Sequence, residues 1–132
     1  MIFSTLITSK AILSTERVAD RLVQLCRENK RADAIDELYS DKITSIELRG
    51  EKSQKLEGKL AVSQKVHEWN EAAEQIRDLY ISDPIVSGDY FSCTMDTDAF
   101  VKGMGRVRMN EVCVYKVQYG KIVFEQFFFT IQ

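Results

Sequence analysis

The sequence predicts an α+β fold in which helices pack on one face of an antiparallel sheet. Two patterns carry this prediction: apolar residues recur at helical spacing as far as residue 76, and the remainder alternates in strand-like runs between turn residues. A chain of 132 residues, 45% of them apolar, is large enough to bury a core, which excludes intrinsic disorder. We expect one domain over residues 14–132, preceded by an arm at residues 1–13 that packs on the domain or on a partner subunit.

The first two helices are indicated by a capping signal and by apolar spacing. Ser14 or Thr15 can cap a helix that runs to about Glu28, because a hydroxyl there accepts a hydrogen bond from a free backbone N–H group. A shorter helix is predicted over residues 32–39. The segment 43–48 alternates weakly between apolar and polar residues, which is typical of a short strand.

A polar stretch over residues 49–59, which contains Gly50 and Gly58, is predicted to be a loop. The period changes at Leu60, where a long helix with one apolar stripe begins. The stripe consists of Val62, Val66, Trp69, Ala73 and Ile76. His67 lies beside this stripe, so we expect it to face solvent or the rim of a pocket.

The rest of the chain is predicted to form a meander of strands. The strand-like runs cover about residues 79–86, 90–100, 106–118 and 121–131. Pro84 places the first run at an edge or a bend, because proline has no backbone N–H to donate. Tyr119-Gly120 joins the last two runs and predicts a two-residue hairpin turn.

This turn fixes which side chains share a face, because Gln118 then pairs with Lys121 and strict alternation follows. The inner face, toward the helices, is predicted to carry Met109, Glu111, Cys113, Tyr115, Gln126 and Phe128. The outer face is predicted to carry Val112, Val114, Phe127 and Phe129. Met95 joins the inner face from the preceding strand, whereas Asp96 points outward unless a bulge turns it inward.

The outer face predicts a homodimer. Val112, Val114, Phe127 and Phe129 would form an exposed apolar patch, and monomeric proteins rarely tolerate large patches of this kind. A two-fold pairing of the two sheets would cover the patch.

Glu111 is a carboxylate in an otherwise apolar row of the inner face. A buried carboxyl group is costly unless it is hydrogen-bonded or neutral. One interpretation is a ligand pocket in which Glu111 is the acid or base, with Tyr115 or Gln126 polarising a carbonyl group. The other is a buried structural network, or a glutamate that contacts water at the open end of the sheet. The predicted pocket surrounds Glu111 with Trp69, Asn70, Met95, Met109, Cys113, Tyr115, Gln126 and Phe128.

Charge and composition exclude several classes of function. The net charge of -2 and the pI near 5.5 argue against nucleic acid as a partner and give no basic patch for a membrane surface. Cys26, Cys93 and Cys113 are odd in number and lack metal-ligand spacing, and His67 is the single histidine. We therefore expect no metal and no cofactor, and buried free thiols in a reducing cytoplasm.

Three sequence segments resemble a known family. They are Phe-Ser-Cys-Thr-Met-Asp at 91–96, Met-Asn-Glu-Val-Cys-Val-Tyr at 109–115 and Gly-Lys-Ile-Val at 120–123, and they follow N-terminal helices and a helix that carries Trp69. Over about Thr15 to Phe129 the chain resembles the SnoaL-like branch of the nuclear-transport-factor-2-like, cystatin-like superfamily. The resemblance implies a cone of curved sheet wrapped on a long helix, with a pocket between them, and a homodimer.

The resemblance also bears on activity. Polyketide cyclases and ketosteroid isomerases of this superfamily use a pocket Asp or His as proton acceptor, and in the cyclases this base follows an aromatic residue on the last strand. Here Phe127 matches the aromatic residue and Phe128 stands at the base, so that base is absent. Three functions remain open: binding of a small hydrophobic molecule without chemistry, an acid–base enzyme (isomerase, cyclase or dehydratase) using Glu111, and a purely structural dimerisation domain.

Overall fold

The structure, a computed structural model, describes residues 12–131. Three helices lie in this range: α1 (Thr15–Arg27), α2 (Arg31–Leu38) and α3 (Lys59–Ala72). The strands are β1 (Tyr39–Arg49), β2 (Lys52–Glu57), β3 (Ala73–Ile81), β4 (Ile85–Ser87), β5 (Tyr90–Val101), β6 (Gly105–Gln118) and β7 (Lys121–Ile131). The predicted arm lies outside the described residues except for Ile12 and Leu13.

The strands form one curved, open sheet in the order β2-β1-β7-β6-β5-β3, and the short β4 also pairs with β5. Neighbouring strands are antiparallel except for β1 and β7, which run parallel. The predicted α+β cone is thus confirmed, with a mixed sheet in place of a purely antiparallel one. A parallel pair is possible because the long chain between β1 and β7 serves as the crossover.

Helix α1 forms where a cap and an amphipathic pattern coincide. The Ser14 hydroxyl accepts a hydrogen bond from the Arg17 backbone N–H at 3.2 Å, as the capping signal predicted. The buried face of α1 consists of Val18, Ala19, Leu22, Val23, Leu25 and Cys26. This face contacts β3, β4, β5 and β6, so α1 covers part of the inner face of the sheet.

Helix α3 is shorter than the helix that the apolar stripe predicted. It ends at Ala72, and Ala73 begins β3, although Ala73 and Ile76 continue the helical spacing. Two register shifts in the pairing of β3 with β5 explain the error. Each bulge inserts an extra residue, so successive inward side chains at Ala73, Ile76 and Leu79 are three residues apart instead of two. A bulged strand therefore produced the spacing of a helix.

The predicted loop over residues 49–59 contains a strand instead. Residues Lys52–Glu57 form β2, which pairs antiparallel with β1 from Thr44 to Arg49 and lies at the edge of the sheet. Five of its six side chains are exposed. Since β2 buries neither face, its sequence shows no apolar alternation from which a strand could be predicted.

The β6–β7 hairpin starts as predicted and then departs from the predicted register. Tyr119 and Gly120 both have positive φ angles, and Gln118 pairs with Lys121 and Val117 with Ile122. A bulge then shifts the register by one residue, so Lys116 pairs with Phe124. Every residue of β7 beyond the bulge therefore faces opposite to the prediction. The inner face of β7 carries Glu125, Phe127 and Phe129, and the outer face carries Gln126 and Phe128.

The larger hydrophobic core lies between α1, α2 and the inner face of the sheet, with Phe91, Tyr115 and Phe127 among its fully buried side chains. A smaller cluster forms where Trp69 of α3 packs against Ala99 and its neighbours. In the described part of the chain, no helix is both long and apolar enough to cross a membrane.

Candidate functional site

A cavity of about 300 Å³ lies between α3 and the inner face of the sheet. At about 30 Å³ per water molecule, this volume corresponds to on the order of ten non-hydrogen atoms. Its apolar wall consists of Val66, Trp69, Ile76, Leu79, Ile81, Met95, Val101, Met104, Val107, Met109, Phe127, Phe129 and Ile131. Its polar lining consists of Cys26, Asn29, Arg31, Glu47, Lys65, Asn70, Thr97 and Glu111. A mainly apolar wall with a few polar groups is typical of a small-molecule site.

Glu111 lies where the sequence predicted, on the inner face of β6 and in the cavity wall. Within residues 12–131 its carboxyl group has neither a hydrogen bond nor an ion pair. Burial raises the pKa of Glu111, and Arg31 opposes this rise. Glu111 is therefore a carboxyl group that favours its protonated form more than an exposed glutamate does.

Two basic side chains flank the ring of Phe127 at the cavity wall. The Arg31 guanidinium carbon lies 5.0 Å from the ring centroid, and the Lys65 Nζ lies 5.2 Å from it. Lys65 also forms an ion pair with Glu47 at 3.1 Å. Burial lowers the pKa of Arg31, but nearby acidic groups, Tyr39 foremost, raise it by more, so the guanidinium stays charged.

A second carboxylate, Glu125, lies on the inner face of β7 but outside the cavity lining. It is fully buried and accepts a hydrogen bond from the Tyr39 hydroxyl on one oxygen and from the Ser45 hydroxyl at 2.7 Å on the other. Sequence reasoning missed this network because it placed Glu125 on the outer face. A glutamate inside the aromatic run Phe124–Phe129 was the available signal, but only the bulge decides which way it points.

The cysteines are free, and all three are buried. Cys93 and Cys113 pair directly across β5 and β6, and the Cys113 thiol, by donating a hydrogen bond, lowers the pKa of Cys93. Burial raises the pKa of Cys26 to about 12, so its thiol is not a nucleophile at neutral pH. Within residues 12–131, no cluster of His, Cys, Asp and Glu could hold a metal ion, and His67 is exposed.

The structure brings together part of the predicted pocket. Glu111, Trp69, Asn70, Met95 and Met109 line the cavity. Four other predicted residues do not.

Cys113 and Tyr115 face inward but are buried in the core away from the cavity lining, and Tyr115 stacks on Phe91 with ring centroids 4.6 Å apart. Gln126 and Phe128 were predicted wrongly, because the bulge in β7 turns them to the outer face. For the same reason Phe128, which the resemblance matched to the cyclase base, lies on the outer face of the sheet.

The bulge also changes the predicted outer patch. Phe127 and Phe129 lie inside, whereas Val112 and Phe128 are exposed by 48% and 39%. Asp96 points outward and accepts a hydrogen bond from the Asn110 side chain at 2.9 Å. The alternative orientation, in which a bulge turns Asp96 inward, is therefore not found.

Comparison with solved structures agrees with this architecture. A protein from Mesorhizobium loti, provisionally named a SnoaL-like polyketide cyclase, is 30% identical, with a TM-score of 0.80 over 87% of this chain and 98% of that chain. A Xanthomonas campestris protein of unknown function with a cystatin-like fold is 17% identical, with a TM-score of 0.73 over 89% and 92% of the two chains. An LEH-like epoxide hydrolase of M. tuberculosis is 13% identical, with a TM-score of 0.63 over 88% and 82%.

A search of curated proteins found no significant match. The sequence model of the family described as SnoaL-like domain matches residues 13–129, which is nearly the whole chain. The predicted resemblance is thereby confirmed, and the chain belongs to the SnoaL-like domain family.

Proposed function

We propose that this protein binds a small, mainly apolar molecule in the cavity between α3 and the sheet. The observation that carries the proposal is the cavity of about 300 Å³, whose wall combines apolar side chains with Arg31 and Glu111, two polar groups that form no hydrogen bond or ion pair within residues 12–131. Apolar walls supply the binding free energy, and a few polar groups fix the orientation of a ligand. The epoxide hydrolase of the same fold, by its name, acts on an epoxide.

Binding of nonan-2-one, measured by isothermal titration calorimetry, tests this proposal. This ketone has a size that fits the cavity and no charge. Met109→Trp adds a large ring to the cavity wall, so we expect it to weaken binding by tenfold or more. Arg108→Trp is the matched control, because Arg108 is the preceding residue of β6, is exposed and lies outside the cavity lining. Equal binding by the two variants would contradict the proposal.

A second candidate function is acid–base chemistry on the bound molecule. The observation in its favour is Glu111, whose pKa is raised by burial and whose carboxyl group faces the cavity without a partner. Tyr115 and Gln126, the predicted partners for a carbonyl group, do not line the cavity. In this reaction the Glu111 carboxylate removes a proton from the carbon next to the carbonyl group, giving an enolate and the protonated acid, and the acid then returns a proton to that carbon.

Hydrogen–deuterium exchange tests the second candidate. In D₂O the protein should exchange the hydrogens of nonan-2-one next to its carbonyl group, as followed by proton NMR. Glu111→Gln should abolish this exchange and leave binding in place. If the native protein binds the ketone but exchanges none of these hydrogens, the acid–base function is contradicted and only the binding function remains.

We also propose that two copies of the chain pair through the outer sheet face to form a homodimer. We further propose that the protein functions in a reducing compartment such as the cytoplasm. Val112, Val114 and Phe128 share this face, and the three buried cysteines are unpaired. Phe128→Glu should convert the dimer to a monomer in light scattering. A monomeric native protein at micromolar concentration would contradict the dimer.

A further inference from the structure

Arg31 is the first residue of α2, and its side chain lines the cavity. Within residues 12–131 it donates no hydrogen bond and forms no ion pair, and its guanidinium lies over the Phe127 ring. Arg21, by contrast, donates to both oxygens of Glu37 at 2.7 and 2.8 Å. Arg31 therefore differs from a structural arginine such as Arg21, because its guanidinium lies in a cavity wall and has no acceptor.

The N–H donors of Arg31 stay accessible. Among side-chain polar atoms of the described residues, only the Tyr115 hydroxyl is both buried and unpaired. A guanidinium carries five N–H donors, and enclosing them without acceptors is unfavourable. The cavity therefore presents a preformed cationic donor that no acceptor of the described chain occupies.

The other charged groups near Arg31 leave its N–H donors without an acceptor, although Glu125 and Glu111 attract the guanidinium electrostatically. Lys65 and Glu47 form their own ion pair. Glu125 accepts hydrogen bonds from two hydroxyl groups outside the cavity lining. Glu111 does share the cavity, but burial raises its pKa, which reduces the repulsion that it exerts on an anion.

We propose that Arg31 binds the carboxylate of a small apolar carboxylic acid, an inference that rests on the proposed binding function. The planar guanidinium matches a carboxylate through two parallel N–H···O bonds, which gives orientation as well as affinity. The hydrocarbon part of the acid then packs against Trp69, Met95 and Met109. The polar end of the ligand is thereby assigned to the α2 side of the cavity.

Calorimetry with two matched probes tests this assignment. Octanoate and nonan-2-one have the same number of non-hydrogen atoms, but only octanoate carries a charge. The native protein should bind octanoate about tenfold more tightly. Arg31→Gln should weaken octanoate binding by about tenfold or more, and it should weaken nonan-2-one binding by a smaller factor, because a neutral ketone oxygen accepts a weaker hydrogen bond than a carboxylate does. Arg17→Gln, an exposed change of equal charge in α1, should leave both affinities unchanged.

The outcomes separate this inference from the proposed function. If nonan-2-one binds and Met109→Trp weakens it, but octanoate binds no better than the ketone, the carboxylate assignment is wrong and the binding function stands. If neither probe binds the native protein, both are wrong. Arg31→Lys, which keeps the charge and loses the planar fork, should retain part of the preference for octanoate even if Arg31→Gln fails to fold.

Discussion

Glu125 and Glu111 are two carboxyl groups on the inner face of neighbouring strands, and their surroundings differ. Glu125 on β7 is completely buried, and each of its oxygens accepts a hydrogen bond from a hydroxyl group, Tyr39 or Ser45. Glu111 on β6 faces a cavity and, within residues 12–131, has no hydrogen bond. Glu125 is thus held by partners within the chain, whereas the carboxyl group of Glu111 is left open toward the cavity.

The largest expected effect comes from truncating the two carboxylates in turn. Glu125→Ala removes the acceptor of two buried hydroxyl groups, each worth about 1–3 kcal/mol when left unsatisfied, so the free energy of unfolding should fall by about 2–6 kcal/mol. Glu111→Ala should change it by no more than about 1 kcal/mol, because no partner loses a hydrogen bond. Urea unfolding followed by circular dichroism measures both. Similar losses of unfolding free energy in the two variants would show that Glu125 and Glu111 do not differ in their contribution to stability.

Two buried tyrosines allow the same comparison for a single hydroxyl group, because one hydroxyl is hydrogen-bonded and the other is not. Tyr39→Phe removes a hydrogen bond to Glu125 and should cost about 1.5–3 kcal/mol of unfolding free energy. The Tyr115 hydroxyl is buried and has no partner in the described structure. Tyr115→Phe should therefore leave stability unchanged or raise it by about 1 kcal/mol, since an unsatisfied polar group is removed.

Chemical denaturation of these two variants under the same conditions gives the test. A loss in Tyr115→Phe equal to the loss in Tyr39→Phe would mean that the Tyr115 hydroxyl has a partner after all.

The smallest expected effect is a change in pH dependence at Glu111. Burial raises the folded-state pKa of Glu111 above its ordinary value of 4.5, so the folded protein favours the protonated acid. The stabilisation from this group is complete below about pH 4.5 and is lost as the pH rises through the raised pKa. Glu111→Gln removes that loss and should therefore stabilise the protein more, relative to the native chain, at about pH 8 than at about pH 4.

Thermal melts of the native chain and Glu111→Gln across this range provide the measurement. A difference in melting temperature that stays constant with pH would show that Glu111 titrates as an exposed glutamate does.

The sequence predicted the position of Glu111 correctly and that of Gln126 wrongly for one physical reason. Alternation along β6 is counted from the Tyr119-Gly120 turn, and no irregularity intervenes before Glu111. On β7 the bulge comes directly after Ile122, and a shift of one residue reverses every later side chain. A bulge leaves no clear mark in residues 122–129, because the two polar residues there, Glu125 and Gln126, are adjacent and therefore point to opposite faces in either register.

The unpartnered state of Arg31 was also beyond sequence reasoning, because it depends on contacts between segments distant in the chain. Arg31 is the first residue of a short helix, and its sequence context is that of an ordinary surface charge. Its position beside Phe127, which is nearly one hundred residues later in the sequence, exists only in the folded sheet. The helices and the final hairpin were predictable because their signals are local: caps, apolar periods and a two-residue turn.

The most direct test of the central claim is NMR of the protein labelled with ¹³C at the methionine methyl groups. Met95, Met104 and Met109 all line the cavity, so their methyl groups report on its contents. With nonan-2-one bound, we expect nuclear Overhauser contacts from its alkyl chain to the Met95 and Met109 methyl groups, and the loss of the Met95 contacts in Met109→Trp. Bound ketone that shows no contact with either methyl group would contradict a ligand site in this cavity.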